Sequence, residues 1–377
     1  MRFSRLVAGL PVTVPFVGPE ALERARGRPF RARLGSNESA FGASAEAVAA
    51  MTRAAAESWM YNDPESHALH EALAAHLGIG RSHVVVGEGV DALLGYTVRA
   101  LVDAGDPVVT SHGSYPTFTY HLAGHGAEVV AAPYHDDRED LDALLAAVRR
   151  TRARLVYLAN PDNPMGSWWT AADVERFVRA LPGETLLVLD EAYAEFAPAG
   201  VTPEATALLD RALRFRTFSK VHGMAGARVG YAFGPVELVE RFEAIRNHFA
   251  VNRVAQAGAL AALADTAHVE RVLREVEEAK ARIGRIAVSV GLAVLPSATN
   301  FVAVDCGTSE VAKALRETLA ERDVYVRMPG VAPLDRCIRV TAALADALDV
   351  LETELPGALA EARATTTRGL SRSRQGD

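Results

Sequence analysis

Six short apolar runs in the first two thirds of this 377-residue chain do not alternate with polar residues. They are Val84-Val-Val86, Pro107-Val-Val-Thr110, Glu128-Val-Val130, Leu155-Val-Tyr-Leu158, Leu186-Leu-Val-Leu189 and Phe215-Arg-Thr-Phe218. A strand with one wet face alternates, whereas a strand covered on both faces of a mostly parallel sheet does not. Between the runs lie segments of helical period, Asp91–Leu101, Asp140–Arg150 and Ala171–Leu181, the last opened by the capping pair Thr170 and Asp173. Strand and helix taking turns in this way predict an α/β domain with a doubly wound sheet.

The pattern changes after Gly234-Pro235. Long helical stretches are expected over Val236–Asp265 and Ala267–Val288, followed by strand-like pieces at Leu292–Leu295, Phe301–Val304, Val324–Arg327 and Cys337–Val340. This reads as a smaller α+β domain. The expected division is an N-terminal arm over 1–32, a large domain over 33–248, a small domain over 249–363 and a disordered tail over 364–377. A formal net charge of −7 offers no basic stripe to nucleic acid. Two cysteines, Cys306 and Cys337, read as buried thiols of a reducing cytoplasm, and no disulfide framework is expected. Pro11 and Pro15 interrupt the apolar N-terminal stretch, so it is not read as a signal peptide. No apolar run approaches the roughly 18 residues of a membrane span, and no metal site is expected.

Chemistry concentrates where the apolar run Leu186–Leu189 ends in Asp190, with Tyr193 three residues on, Ser219-Lys220 further along and Arg228 eight residues beyond Lys220. A charge at the end of a buried strand needs a partner, and the ends of parallel strands are where open α/β sheets hold ligands. One cofactor asks for this whole set. Pyridoxal phosphate needs an amine to form a Schiff base with its aldehyde and a carboxylate to stabilise its protonated pyridine ring. A phenol suits its ring hydroxyl, and an arginine with a hydroxyl suits its phosphate. Taken singly, Lys220 is more simply a solvated lysine, whereas for Asp190 a helix cap is the lesser alternative. Their order and spacing favour the site.

Three further stretches fit. Gly87-Glu-Gly89-Val90-Asp91-Ala92 follows a strand and opens a helix whose free amides suit a phosphate. It also matches a dinucleotide fingerprint, but a nicotinamide dehydrogenase would leave Asp190, Tyr193 and Lys220 unexplained. Asn160-Pro-Asp-Asn163-Pro-Met-Gly166 is either a plain turn or a rigid loop that aims Asn163 at the ring hydroxyl. Tyr115, before Pro116, is either packing or a ring that stacks on a flat cofactor.

With these motifs in hand, residues 33–345 resemble the class I/II aminotransferases of pyridoxal phosphate fold type I, and within them the histidinol-phosphate aminotransferase group. Ser36–Ser39, Tyr61–Pro64, Thr299–Phe301 and Arg339-Val-Thr341 extend the collinear match. The resemblance implies a large domain with a mostly parallel sheet plus a smaller α+β domain. It implies that Lys220 is the Schiff-base lysine and proton shuttle, that Asp190 holds the pyridinium, and that Tyr193 and Asn163 hold the ring oxygen. Tyr115 would stack on the ring. Ser219, Arg228 and the amides of Val90 and Asp91 would bind the phosphate, with Tyr61 added from a second subunit of a homodimer. Arg339 would clamp the substrate carboxylate, Arg327 would face the distal end and Asn37 would line the substrate side.

The chain departs from the family pattern at Phe16, where a tyrosine is usual, at Glu88, at Met165 and at Ala342-Ala343-Leu344. Loss of the phenol at Phe16 leads to an expectation of measurable but slow histidinol phosphate turnover and faster turnover of an aromatic or other bulky amino acid. The expected function is therefore transfer of an amino group from histidinol phosphate or an aromatic amino acid to a 2-oxo acid. A decarboxylase of a phosphorylated amino acid is the alternative, since its motifs are nearly the same. A regulator that senses the cofactor would carry a basic helix-turn-helix, and the roughly thirty residues before the core show none.

Overall fold

The computed structural model describes residues 1–12 and 17–373. It falls into two compact units, one built from residues 1–11, 42–163 and 167–272, the other from 12–41, 164–166 and 273–377. The partition differs from the expected one, and the expected arm over 1–32 is divided between the units after residue 11. Residues 33–41 and the short piece 164–166 belong with the second unit, and the chain passes between units near residue 272, not 248. The expected continuous helix over 236–265 is two helices, Val236–Glu243 and Arg253–Ala264, with Asn252 capping the second through its side chain.

The first unit is organised by a seven-stranded sheet. In chain order its strands are β1 (Val84–Gly87), β2 (Pro107–Ser111), β3 (Glu128–Ala132), β4 (Leu155–Ala159), β5 (Leu186–Asp190), β6 (Ala212–Thr217) and β7 (Gly230–Phe233). Their spatial order is β1-β7-β6-β5-β4-β2-β3. Strands β2 to β6 pair parallel, and β7 alone runs antiparallel, between β1 and β6. The sequence reading missed β7. Its glycine and aromatic residues follow closely on the Arg228 loop and give no separate apolar signal.

Both faces of the sheet are covered, as the non-alternating runs require, except at the edge strand β3, where Glu128, Val129 and Ala131 are exposed. Val85, Val108, Leu155, Tyr157, Val188, Leu213 and Phe215 pack on one side. Val109, Val156, Leu158, Leu187 and Leu189 pack on the other. Helix α1 (Val90–Leu101) follows β1, and Thr170 and Asp173 form the predicted reciprocal cap on the helix Ala171–Ala180. Since the five parallel strands and β1 point the same way, the residues that follow them gather along one edge of the sheet.

The second unit holds a three-stranded antiparallel sheet in which Phe301–Asp305 lies between Ala293–Val294 and Cys337–Thr341. A parallel pair joins Ala32–Arg33 to Val324–Tyr325. The closing helix runs Ala345–Ser373, so residues 364–373 are helical where a disordered tail was expected. Cys306 and Cys337 are buried and form no disulfide.

Candidate active site

Asp190 is the last residue of β5, and its carboxylate is buried. Tyr157 donates a hydrogen bond to its Oδ2 at 2.8 Å, and the Ala192 amide donates to Oδ1 at 3.0 Å. Burial pushes the carboxyl up to about 6, against the pull of those two hydrogen bonds and of the Lys220 charge. A carboxylate oxygen can accept two hydrogen bonds, so both oxygens retain capacity for a further donor. A protonated ring nitrogen is the partner that would offset the desolvation.

Lys220 follows β6 by three residues, and its Nζ lies 5.5 Å from the centre of the Tyr193 ring. Tyr193 is itself buried just past β5. Tyr115 stands at the N-terminus of the helix Pro116–His125 and donates to Asp91 Oδ1 at 2.9 Å. Burial, the largest cause, and the Asp91 charge hold its phenol far above the usual range, so it remains a neutral donor.

The start of α1 gathers groups that could hold a phosphate. Gly89 caps that helix at φ 89°, and no side chain caps its first-turn amides, those of Val90 and Asp91 included. Arg228 reaches across, with Nη1 3.5 Å from Ser219 Oγ and Nη2 3.8 Å from Asp91 Oδ2. The side chains of Arg228 and Asp91 are both about half exposed. A Cβ built on Gly89 would sit 2.5 Å from Arg228 Nη2, so only glycine leaves the guanidinium and the helix end open to a common ligand. Arg228 takes up a left-handed backbone, φ 56°, which few non-glycine residues adopt. Glu88, a departure from the family pattern, turns aside: it accepts the Tyr96 hydroxyl at 2.5 Å.

Asn163 belongs to a loop pinned by Asn160. The Asn160 amide nitrogen donates to Asp190 O, and its side chain both donates to Trp169 O and accepts from Trp169 N. Residues that sequence reasoning missed do this anchoring. Glu139 is buried and accepts from Ser111 Oγ at 2.6 Å and from the Ala159 amide at 2.9 Å. Glu191, beside Asp190, takes the fully buried Arg214 at 2.8 Å and Arg216 at 3.1 Å. The only sequence signal for this group is the presence of arginines inside an apolar strand.

Tyr61 stands apart from these groups. It is 80% exposed, with Phe249 4.9 Å away and Trp59 similarly exposed. Asn37, Arg327 and Arg339 belong to the second unit. Asn37 is buried and exchanges hydrogen bonds with the Thr341 hydroxyl. Arg327 donates to the Tyr325 hydroxyl and to Val17 O, each at 2.8 Å. Arg339 donates to Gly35 O at 3.3 Å and lies 5.1 Å from the Phe301 ring centre. Phe16 lies outside the described residues. No helix among the described residues is long and apolar enough to cross a membrane.

Comparison with known proteins agrees with this geometry. The family model "Aminotransferase class I and II" matches residues 32–351. A histidinol-phosphate aminotransferase of Anaeromyxobacter sp. is 38% identical over 90% of this chain and 93% of its own length. One from Rhodospirillum centenum is 37% identical over 89% and 93%. Among solved structures, the histidinol-phosphate aminotransferase of Sinorhizobium meliloti in complex with pyridoxal-5′-phosphate superposes with a TM-score of 0.93 at 52% identity. That match covers 95% of this chain and 97% of the other. Aspartate aminotransferase from Thermus thermophilus with maleate, at 22% identity and a TM-score of 0.80, shares the fold. The decarboxylase alternative draws no support from these relatives. With the match spanning most of its length, the chain belongs to the class I and II aminotransferases, fold-type I transaminases that use pyridoxal phosphate to move an amino group between an amino acid and a 2-oxo acid.

Proposed function

We propose that this transaminase takes its amino group from histidinol phosphate, works as a cytoplasmic homodimer, and uses Lys220, Asp190 and Tyr193 as its catalytic residues. The observation that carries the donor assignment is the 52% identity, across nearly the whole of both chains, to the Sinorhizobium meliloti enzyme of that name. Phe16 argues for an aromatic donor from sequence alone, and the named relatives weigh against it.

When bound, pyridoxal phosphate supplies an aldehyde for the amine and a ring that accepts electrons. The protein's residues do the rest. Lys220 Nζ would hold the aldehyde and, as a free amine, would serve as the base that takes and returns the α-proton of the substrate. Asp190 keeps the ring nitrogen protonated. Tyr193 and Asn163 hold the ring oxygen, and Tyr115 covers the ring face. Val90 N, Asp91 N, Ser219 and Arg228 bind the phosphate, joined by Tyr61 of a second copy. The exposed aromatic group Trp59, Tyr61 and Phe249 supports such a partner. Reduced, buried Cys306 and Cys337 accord with a cytoplasmic setting.

Histidinol phosphate has a phosphate ester in place of an α-carboxylate. A guanidinium binds either group through paired hydrogen bonds. Arg339 therefore takes the carboxylate of the oxo acid in one half-reaction and shares the phosphate in the other, with Arg327 meeting the extra charge and Asn37 bordering the substrate. The test is a panel of half-reactions followed by cofactor absorbance, with histidinol phosphate, histidinol, phenylalanine and tyrosine as donors. Histidinol phosphate should give the highest kcat/KM. A higher value for an aromatic amino acid would overturn the donor assignment and leave the transaminase intact.

A further inference from the structure

Tyr157 has no part in the chemistry described so far, yet it makes one of the two hydrogen bonds that the Asp190 carboxylate receives from the protein. In the parallel pair β4–β5, Tyr157 is opposite Val188 and Ala159 is opposite Asp190. Side chains two residues apart share a face, so Tyr157 and Asp190 are diagonal neighbours on the same side of the sheet, within reach of a long side chain. The Tyr157 ring is fully buried and stacks on Phe118 with centres 4.8 Å apart and planes 18° from parallel. That stack fixes the direction of the hydroxyl, which ends 2.8 Å from Asp190 Oδ2.

A tyrosine buried for packing alone would cost the fold an unsatisfied hydroxyl unless a partner were at hand. Here the partner is the one carboxylate that the cofactor needs. We propose that Tyr157 is a positioning residue for transamination: its hydroxyl anchors one oxygen of Asp190 so that the carboxylate is presented, ionised and in a fixed orientation, to the pyridine nitrogen of the cofactor. This rests on the cofactor site described above.

The electrostatics agree. Burial raises the Asp190 carboxyl and the Tyr157 bond is the largest opposing influence. The other groups acting on Asp190 are the Ala192 amide and Lys220, which favour its ionised form, and Asp91, which disfavours it. Tyr115 and Glu139 also feel its charge. Burial, followed by the Asp190 charge, holds the Tyr157 phenol well above its ordinary value, so it stays a donor. Removing the hydroxyl takes away a bond that favours the ionised carboxylate, and Asp190 should then hold its proton to higher pH.

The test is Tyr157→Phe, which keeps the stacked ring, together with Asp190→Asn and the double variant. Protonation of Asp190 would be followed in the cofactor-free full-length chain by the infrared band of the protonated carboxyl, assigned as the part lost in Asp190→Asn. In Tyr157→Phe the Asp190 titration should move to higher pH. Cofactor affinity and kcat should fall roughly tenfold to a hundredfold near neutrality, the range for a hydrogen bond to a charged group. The loss in kcat should shrink as the pH is raised, with KM changing less than kcat. In the Asp190→Asn background, adding Tyr157→Phe should cost little more, because the two residues act as one unit. An unmoved Asp190 titration with a pH-independent loss would make Tyr157 a packing residue and overturn the proposal. Equal losses from Tyr157→Phe in both backgrounds would do the same, even if the single variant is destabilised. If wild-type protein neither binds pyridoxal phosphate nor transaminates, it is the cofactor site that fails.

Discussion

Arg327 and Arg339 face each other across an antiparallel bridge, exchanging backbone hydrogen bonds of 3.3 and 2.6 Å. Directly opposed residues in such a bridge project from the same face. Two like-charged side chains thereby leave the same face from opposed positions, a pairing that is unfavourable in itself and that an anion near them would relieve. Arg327 is partly occupied by Tyr325 and Val17 O, while Arg339 lies over Phe301.

A carboxylate satisfies one guanidinium, whereas a phosphate ester has oxygens for two. Arg339→Ala should therefore lower kcat/KM for every substrate, and Arg339→Lys should recover little of it. Arg327→Ala should lower kcat/KM for histidinol phosphate by about ten- to a hundredfold, the worth of one charged hydrogen bond, and spare the oxo acid. Equal losses for phosphorylated and unphosphorylated substrates would make Arg327 structural, a clamp on the chain at Val17.

Gly89→Ala should weaken cofactor binding. The residue sits at φ 89°, where an alanine is strained by about 1–3 kcal/mol, and its Cβ would press on Arg228 Nη2 at 2.5 Å. Titration of the cofactor-free protein should show at least a roughly tenfold rise in Kd. Gly226→Ala, in the same loop as Arg228 but with nothing within 4 Å of its Cβ, is the control and should bind normally.

Glu191→Ala should destabilise the first unit by about 3–5 kcal/mol, since it strands the fully buried Arg214 beside Arg216. Three backbone carbonyls, those of Pro203, Glu204 and Ala207, still hold the Arg214 guanidinium. Denaturant unfolding would measure the loss. A change below about 1 kcal/mol would mean that those carbonyls suffice.

Mixing two inactive variants tests the shared site. Tyr61→Ala should bind the cofactor weakly, Lys220→Ala should lose the visible absorbance of the lysine-bound cofactor, and neither should turn over. A mixed dimer regains one complete site if Tyr61 serves the neighbour's phosphate, so partial activity should return after subunit exchange. Its absence after confirmed exchange would place Tyr61 outside the active site.

Much of this architecture was legible because it depends on local pattern. The buried strands β1, β2, β4, β5 and β6 follow from apolar runs, and the positions of Asp190 and Lys220 at one edge of the sheet follow from their places at and after the ends of β5 and β6. What could not be read depends on pairing across the sheet. Strand β7 is recognised only by its partners β1 and β6. Tyr157 looks like one more apolar residue until the β4–β5 register brings it to Asp190. The division of the chain was misread for a related reason, because residues 33–41 join Thr341, some three hundred positions away.

The Asp190 carboxylate should cost the cofactor-free protein stability that it returns as catalysis. Its carboxyl titrates at about 6 in the folded state against an ordinary 3.8, mainly through burial. The folded protein therefore holds this proton more tightly than the unfolded chain does. The contribution of the group falls as pH rises from near 4 to near 6, and the full penalty is present above that window. Two units correspond to at most about 3 kcal/mol. Asp190→Asn keeps an acceptor for Tyr157 and removes the charge, so the cofactor-free variant should be more stable than wild type at pH 8 and no more stable at pH 4. With cofactor bound the order reverses in function: a neutral amide cannot stabilise a protonated ring nitrogen, and the half-reaction should slow on the order of a hundredfold or more, which is about 3 kcal/mol of barrier. Unfolding of the cofactor-free protein at both pH values and single-turnover rates of the loaded enzyme measure the two halves. A gain in stability that is the same at pH 4 and pH 8 would show that the charge is not what destabilises the fold, and an unchanged half-reaction would remove Asp190 from the chemistry.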